Sequence, residues 1–297
     1  MFVTLFVIIT ATWFMIQLLP GTPFADEKLS DEARAQLYAK FGLDEPLPIQ
    51  YAKYVLNVVQ GDLGTSFAFG NRPVLQVILG RLPVSMFLGI QAMVFGTLVG
   101  LILGVVAALR HNTFWDYATV VVAVLGVSIP SFVLAPIMQY WLGVRWELLP
   151  VAFFESWWHS VMPTLALSVF VISQVARFIR AEMLEVLGQD YITLAQAKGL
   201  SKMAVIVRHV LRNSLIPLVT VLAPLTIALI TGSLVIETIF AVPGIGEQFV
   251  RSIVVNDYPM IMGTTIFFSV LFILALLTQD ILYGIIDPRI RVSRAKE

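Results

Sequence analysis

The chain has 297 residues, of which 58% are hydrophobic and 13% charged, with equal numbers of acids and bases and no cysteine. A soluble domain of this size would carry about 25% charged residues, so this composition points to a polytopic membrane protein and away from nucleic acid. The absence of cysteine excludes disulfides, thiolate metal sites and thiol catalysis, and His111, His159 and His209 lie too far apart in sequence for metal-ligand spacing.

A spanning helix needs about 20 apolar residues. The first run, Phe2 to Leu19, ends at Pro20-Gly21 and lacks the basic residues that usually precede a first span. It has neither the basic flank nor the small-residue cleavage site of a signal peptide. The reading is a first transmembrane helix over 1–20, whose customary basic flank would lie upstream of Met1. Residues 21–81 are polar and form an extramembrane loop with helices of its own. Ser30 is the expected cap of one, with Asp31 and Glu32 in its first turn. Gly42 is its stop, and Pro46 and Pro48 precede a second helix over 49–59.

Five further spans are expected, at about 83–109, 117–142, 161–179, 215–240 and 259–285, within a membrane domain over 82–286 followed by a tail, 287–297. Prolines bound or interrupt them all, which lipid tolerates where neighbouring helices or a water-filled cavity satisfy the freed backbone. Gly96, Gly100 and Gly104 form a ladder for close helix packing. Six spans put both termini on one side. Eleven basic residues lie on one face: Arg110, Arg177, Arg180, Lys198, Lys202, Arg208, Arg212, Arg289, Arg291, Arg294 and Lys296. The opposite short loops hold only Arg145 and Arg251, so the basic face is cytoplasmic and 21–81 lies outside. Tryptophans in "WELLP" and "FFESWWHS" mark the outer interface.

Motifs for catalysis are missing. The chain has no G-x-x-x-x-G-K-[ST], no complete G-x-S-x-G and no H-E-x-x-H, so no P-loop ATP site, serine hydrolase or zinc protease is read here. An ion-coupled carrier needs ionisable groups near mid-membrane. Asp116 and Asp280 fall near inner span ends and Glu237 near an outer one; Gln139 and Gln174 are uncharged. Glu237 is either a gate or substrate contact or a capping carboxylate.

The stretch "DYITLAQAKGLSKMAVIVRHVLRNSLIP", 190–217, is polar amid apolar neighbours. Gly188 ends one helix, Asp190 is the expected cap of the next, and Tyr191 to Lys198 form two turns closed by Gly199 in a left-handed conformation. Ser201 caps a second helix, whose basic residues lie toward its C-terminal end, and Asn213 precedes the fifth span. One reading is an amphipathic helix on the inner leaflet. The other is a docking element for a soluble partner, which suits the small residues and the tight turn.

This stretch resembles the cytoplasmic coupling loop of binding-protein-dependent ATP-binding-cassette importer permeases, in the form used by the peptide/nickel group. Counting back from Gly199, the family's E-A-A positions fall on Thr193, Leu194 and Ala195, so its glutamate and first alanine are absent. "LLPGTPF", "GDLGTSF", "RLPVS", "GVSIPSF", "VIETIFAVPGIGEQFVRSIVVNDYP" and "YGIIDPRIR" agree, and the resemblance covers essentially the whole chain. It implies an all-α type I importer permease in the bacterial cell membrane, not an enzyme itself and with no cofactor of its own. The implied partners are a second homologous permease, two subunits that bind ATP and Mg, and an extracellular peptide-binding lipoprotein.

On the same resemblance, Asp190, Tyr191, Thr193, Leu194, Ala195, Ala197, Lys198, Gly199 and Leu200 form the ATPase-coupling loop. Glu237, Phe240, Pro243, Gly244 and Gly246 are candidates for the outer gate. The implied cargo is oligopeptides, with dipeptides or nickel as alternatives in the same group. The scarcity of histidine and carboxylate along the spans argues against nickel, and a proton-coupled peptide carrier is the reading from another class.

Overall fold

The computed structural model describes residues 2–18 and 31–286. Among them the chain is helical, apart from loops and one isolated bridge between Thr65 and Pro73. The cap expected at Ser30, the "LLPGTPF" stretch beyond Leu18 and the basic tail lie outside the described residues.

Helix α1 (Phe2–Gln17) is followed by α2 (Asp31–Phe41) and α3 (Leu47–Val59). Then comes the long helix α4 (Val74–Leu109). It starts at Val74, inside the stretch read as outer loop, and Pro83 lies within it. Pro73 marks the start instead, since its fixed φ suits an entry residue. Three α4 glycines accept helix α7 (Trp157–Leu187) at backbone distance. A Cβ on Gly96 or Gly100 would come within 2.7 Å of Val171 or Val175, and one on Gly104 within 2.7 Å of the Ala176 carbonyl. The expected small-residue ladder is thus the main α4–α7 seam.

Between them, α5 (Phe114–Ser128) and α6 (Ser131–Met138) meet at a bend of 101°. Ile129 is extended there (φ −87°, ψ 114°) because Pro130 disfavours the helical region for the residue before it. A π-helical segment, Gln139–Arg145, continues α6. After α7 come α8 (Asp190–Ala197) and α9 (Lys202–Val205). A second π-helical segment, Ile206–Leu211, joins α9 without a break to α10 (Arg212–Ile230). The chain ends in α11 (Leu234–Ile239), α12 (Ile245–Val254) and α13 (Tyr258–Ile286).

Four of the described helices are long and apolar enough to cross a bilayer: Val74–Leu109, Trp157–Leu187, Lys202–Ile239 and Tyr258–Gln279. The bent α5–α6 pair makes a fifth. Helix α1, with 16 residues, is shorter, so six spans require α1 to be counted as one.

The core has three parts. A lower cluster joins Val171, Val175, Ile179 and Met183 of α7 to Ile192, Ala195, Val205 and Val210. A middle cluster joins Leu88 and Ala92 to Met162, Ala166, Ile236 and Phe240. An upper cluster joins Val74 and Ile78 to Ile245 and Met260. The two ends of the molecule are therefore built from different segments: α4's last turn, α7's last turns and α8–α9 at one, and α4's first turn with α11, α12 and the start of α13 at the other.

Candidate functional site

At the lower end, α7 stops at Gly188 and α8 begins at once. Asp190 is the first helical residue, not the cap expected from sequence; Gln189 holds the cap position without a side-chain bond. The carboxylate still sits in the first turn, where the helix dipole favours an acid. The α8 helix closes as read from sequence. Gly199 has φ +79°, its amide donates to Gln196 O (2.9 Å), and Lys198 N donates to Leu194 O (3.0 Å). Open space surrounds the position of a Gly199 Cβ, so what selects glycine there is backbone conformation and not crowding. The Ser201 side chain accepts from Ala204 N at 3.3 Å, capping α9.

Beyond α9 the chain departs from expectation. The second helix does not end near Asn213 with basic residues at its C-terminus. It continues as one rod through the π-helical segment into α10 as far as Ile230. Arg208 and Arg212 therefore flank mid-helix backbone, and no helix-end dipole acts on them.

The loop residues divide by face. Ile192 and Ala195 are buried in the lower cluster with residues of α7, α9 and the second π-helical segment, so Ala195 belongs to this chain's own packing. Tyr191, Thr193, Leu194, Ala197, Lys198, Gly199 and Leu200 are exposed, with Leu194 at 56% and Met203 beyond it at 68%. The Tyr191 hydroxyl accepts from Asn213 Nδ2 at 3.0 Å, tying α8 to the start of α10. Spacing does not reveal this tie, because the two residues belong to different helices.

Beside this hairpin is a buried ion pair that sequence reasoning misses. Arg180 of α7 grips Asp116 of α5 with two bonds, Nε to Oδ1 at 2.5 Å and Nη2 to Oδ2 at 2.9 Å. The Asn112 amide (2.9 Å) and His111 Nδ1 (2.9 Å) complete the carboxylate's shell. Asp116 is 1% exposed. In the sequence Arg180 counts only toward topology; the cue available is an Asp and an Arg facing each other near the same ends of two adjacent helices.

The upper end holds the outer-gate candidates. Glu237 is buried and accepts from the amides of Gly246 (2.7 Å), Ser233 (3.2 Å) and Glu247 (3.3 Å), with the Ser85 hydroxyl on the same carboxylate. This is the capping alternative: the acid satisfies the first amides of α12. Gly232, Gly244 and Gly246 wrap it closely. A Cβ on Gly232 would lie 2.8 Å from Glu237 Oε1, one on Gly246 would lie 2.8 Å from the Ser233 carbonyl, and one on Gly244 would run into the carboxylate itself. Phe240 is buried, and its carbonyl accepts from Phe153 N at 2.8 Å. Of the five candidates only Pro243 is exposed.

Two further ties complete this end. Arg81 pairs with Glu247 at 2.6 Å, and Arg81 and Arg251 both lie over the Phe69 ring. Asp257, fully buried, accepts from Ser66 Oγ (2.5 Å), Ala68 N (3.0 Å), Phe67 N (3.1 Å) and Met260 N (3.3 Å). The stretches "GDLGTSF" and "RLPVS" thus meet "AVPGIGEQF" and "NDYP" across more than half of the chain.

The fold is that of a multi-pass helical membrane subunit with a short helical hairpin projecting at one end. In fold it is similar to the solved MetNI methionine ABC transporter (TM-score 0.59, 18% identity, covering 72% of this chain and 97% of that one). It is also similar to an amino acid ABC transporter (TM-score 0.55, 15% identity, 72% and 94%). Residues 100–292 match the family described as "Binding-protein-dependent transport system inner membrane component", and the chain belongs to that family. Two relatives are 46% identical: the dipeptide transport system permease protein DppB of Lactococcus lactis subsp. cremoris, over 97% of this chain and 95% of the relative, and that of Bacillus subtilis, over 98% and 95%. The oligopeptide transport system permease protein OppB of Salmonella typhimurium is 39% identical over 97% and 95%. The chain is thus a permease component of a binding-protein-dependent ABC importer.

Proposed function

We propose that this permease imports short peptides, pairing with a second, homologous permease and driven by two separate ATP-binding subunits, with an extracellular binding lipoprotein delivering the cargo. The observation that carries the reading is the α8 hairpin. Its inner face is spent on the chain's own core through Ile192 and Ala195, while Tyr191, Thr193, Leu194, Ala197 and Leu200 remain exposed around a rigid turn. Exposed apolar residues on a capped, pre-ordered knob suit a groove on a soluble protein. A helix lying on lipid would favour Trp, Phe or Leu along its apolar face, whereas here Thr193, Ala197 and Gly199 are interspersed with Leu194 and Leu200.

The names of the relatives support peptides as the cargo class, and relatives named for dipeptides and for oligopeptides both match over nearly the whole chain. The expectation of oligopeptides in particular is therefore broadened here to short peptides. Uptake competition between unlabelled dipeptides and hexapeptides against a labelled tripeptide separates the two. A proton-coupled carrier has less to work with: the buried acids Asp116, Glu237 and Asp257 are each hydrogen-bonded in place by several donors.

The test is co-purification of the tagged chain in mild detergent, followed by mass spectrometry, for wild type and Gly199→Val. Wild type is expected to bring down a second permease and nucleotide-binding subunits. A β-branched residue at φ +79° costs about 1–2 kcal/mol and distorts the turn, so the variant should lose ATP-driven uptake. Recovery of wild type alone, or normal uptake by the variant, would overturn the docking assignment.

A further inference from the structure

The ion pair between α5 and α7 does more than hold two helices together. Resting on the coupling reading above, we infer that Asp116 and Arg180 are positioning residues that make the broken span α5–α6 follow the α8 hairpin during transport.

The hairpin packs into a buried cluster shared by the end of α7, α9 and the second π-helical segment. Ile192 and Ala195 pack there with Ile179 and Met183, on the last turns of α7. A push on α8 is therefore felt at the last turns of α7 through this cluster. Arg180 stands next to Ile179 and reaches the other way, to Asp116 at the start of α5.

Helix α5 packs chiefly on α7 and less extensively on α4. Its buried residues are Asp116, Thr119 and Ala123, one stripe spaced by three and four residues. Gly126 extends the stripe, and a Cβ there would collide with Ser173 Oγ of α7. The rest of α5 is largely open, with Val121, Val122, Val124 and Leu125 about half exposed. A helix held along one stripe moves with whatever grips that stripe, and among the described residues its charged grip is Arg180.

The grip is also directional. Two parallel N–H···O bonds from a planar guanidinium fix orientation as well as distance. His111 and the Asn112 amide bind the same carboxylate, so the turn leading into α5 is locked with it. Beyond the 101° bend, the π-helical segment places Gln139 against the carbonyls of Val151 (2.9 Å) and Ile239 (3.0 Å). A continuous set of polar and close-packed contacts therefore runs from the hairpin socket, through Arg180 and Asp116, along α5 and over the bend to the segment that carries Phe240.

The experiment separates coupling from stability. Leaving one partner of a buried pair alone is strongly destabilising, whereas removing both charges is far milder. The assembled importer is therefore reconstituted in proteoliposomes as wild type, as Arg180→Lys, and as the neutral double variant Asp116→Asn with Arg180→Gln. Peptide imported per ATP hydrolysed is measured for each. The double variant should assemble and hydrolyse ATP, yet import on the order of tenfold less peptide per ATP. Arg180→Lys, which keeps the charge but loses the fork, should fall between the two.

Wild-type stoichiometry in both variants would overturn the inference and leave the pair a structural clamp. A double variant that fails to assemble would overturn it as well, because the pair would then be needed for folding itself. If the wild-type complex shows no ATP-driven uptake, the importer reading fails instead, and the two failures are distinguishable.

Discussion

The two ends of this permease satisfy their buried carboxylates in opposite ways. At the upper end, Asp257 and Glu237 are held by hydroxyls and by backbone amides of helix starts and one loop, with no cation paired to either carboxylate among the described residues. At the lower end Asp116 is held by an arginine fork and a histidine, with one backbone amide from Asn112. Backbone amides cannot relocate without unwinding a helix start or refolding a loop, so the upper bonds make a fixed knot. A side-chain fork spans two helices and keeps its geometry while both move. The difference teaches which end of the molecule is built as a frame and which as a joint.

On that contrast, substitutions above should cost stability and those below should cost coupling. The largest effect is expected at Asp257→Ala. It strands the Ser66 hydroxyl and the amides of Phe67, Ala68 and Met260. The two fully buried donors, Ser66 Oγ and Met260 N, cost about 1–3 kcal/mol each when left unpaired, and the loss is read as a drop in thermal midpoint in detergent. An unchanged midpoint would dissolve the frame idea.

Gly246→Ala comes next. Its Cβ would press on the Ser233 carbonyl and on Glu237, and overpacking of this kind costs about 1–3 kcal/mol. The same melting experiment reads it, and a Glu237→Ala background should reduce the penalty only in part, since the Ser233 clash remains.

Below, Tyr191→Phe removes the hydroxyl that accepts from Asn213. The stability change should be only about 1 kcal/mol. Faster hydrogen exchange across residues 190–199 than in wild type is the expected signature, and equal exchange rates would mean the tie does not order the hairpin.

The smallest effect belongs to the exposed pair between Lys53 and Glu45 (2.5 Å), with the lysine 61% exposed. Lys53→Ala should change stability by about 0.5 kcal/mol or less. A larger loss would show that α3 carries more of the frame than its exposed surface suggests.

Much of this architecture is legible in the sequence. Apolar run length locates the helical spans, whereas Pro83 misleads by lying inside α4, and left-handed Gly199 and the Ser201 cap can be read from local chemistry alone. What escapes is long-range. The Asp257 knot joins residues about 190 apart in sequence, and no periodicity links them, although each stretch carries a motif of its own. Arg180 shows its sign in the sequence but not its reach, because charge counting does not ask what a side chain touches. The boundary expected near Asn213 fails for a third reason. Polar residues there imitate a helix end, while the backbone carries on and lets Tyr191 use the asparagine side chain.

That uninterrupted rod has a mechanical meaning. From Lys202 to Ile230 the helix runs about 43 Å at 1.5 Å per residue. It enters the hairpin at one end and reaches Gly232 beside Glu237 at the other. A lever of that length turns a tilt of about 5° into a sweep of about 4 Å at its far tip, roughly the width of a strand of peptide.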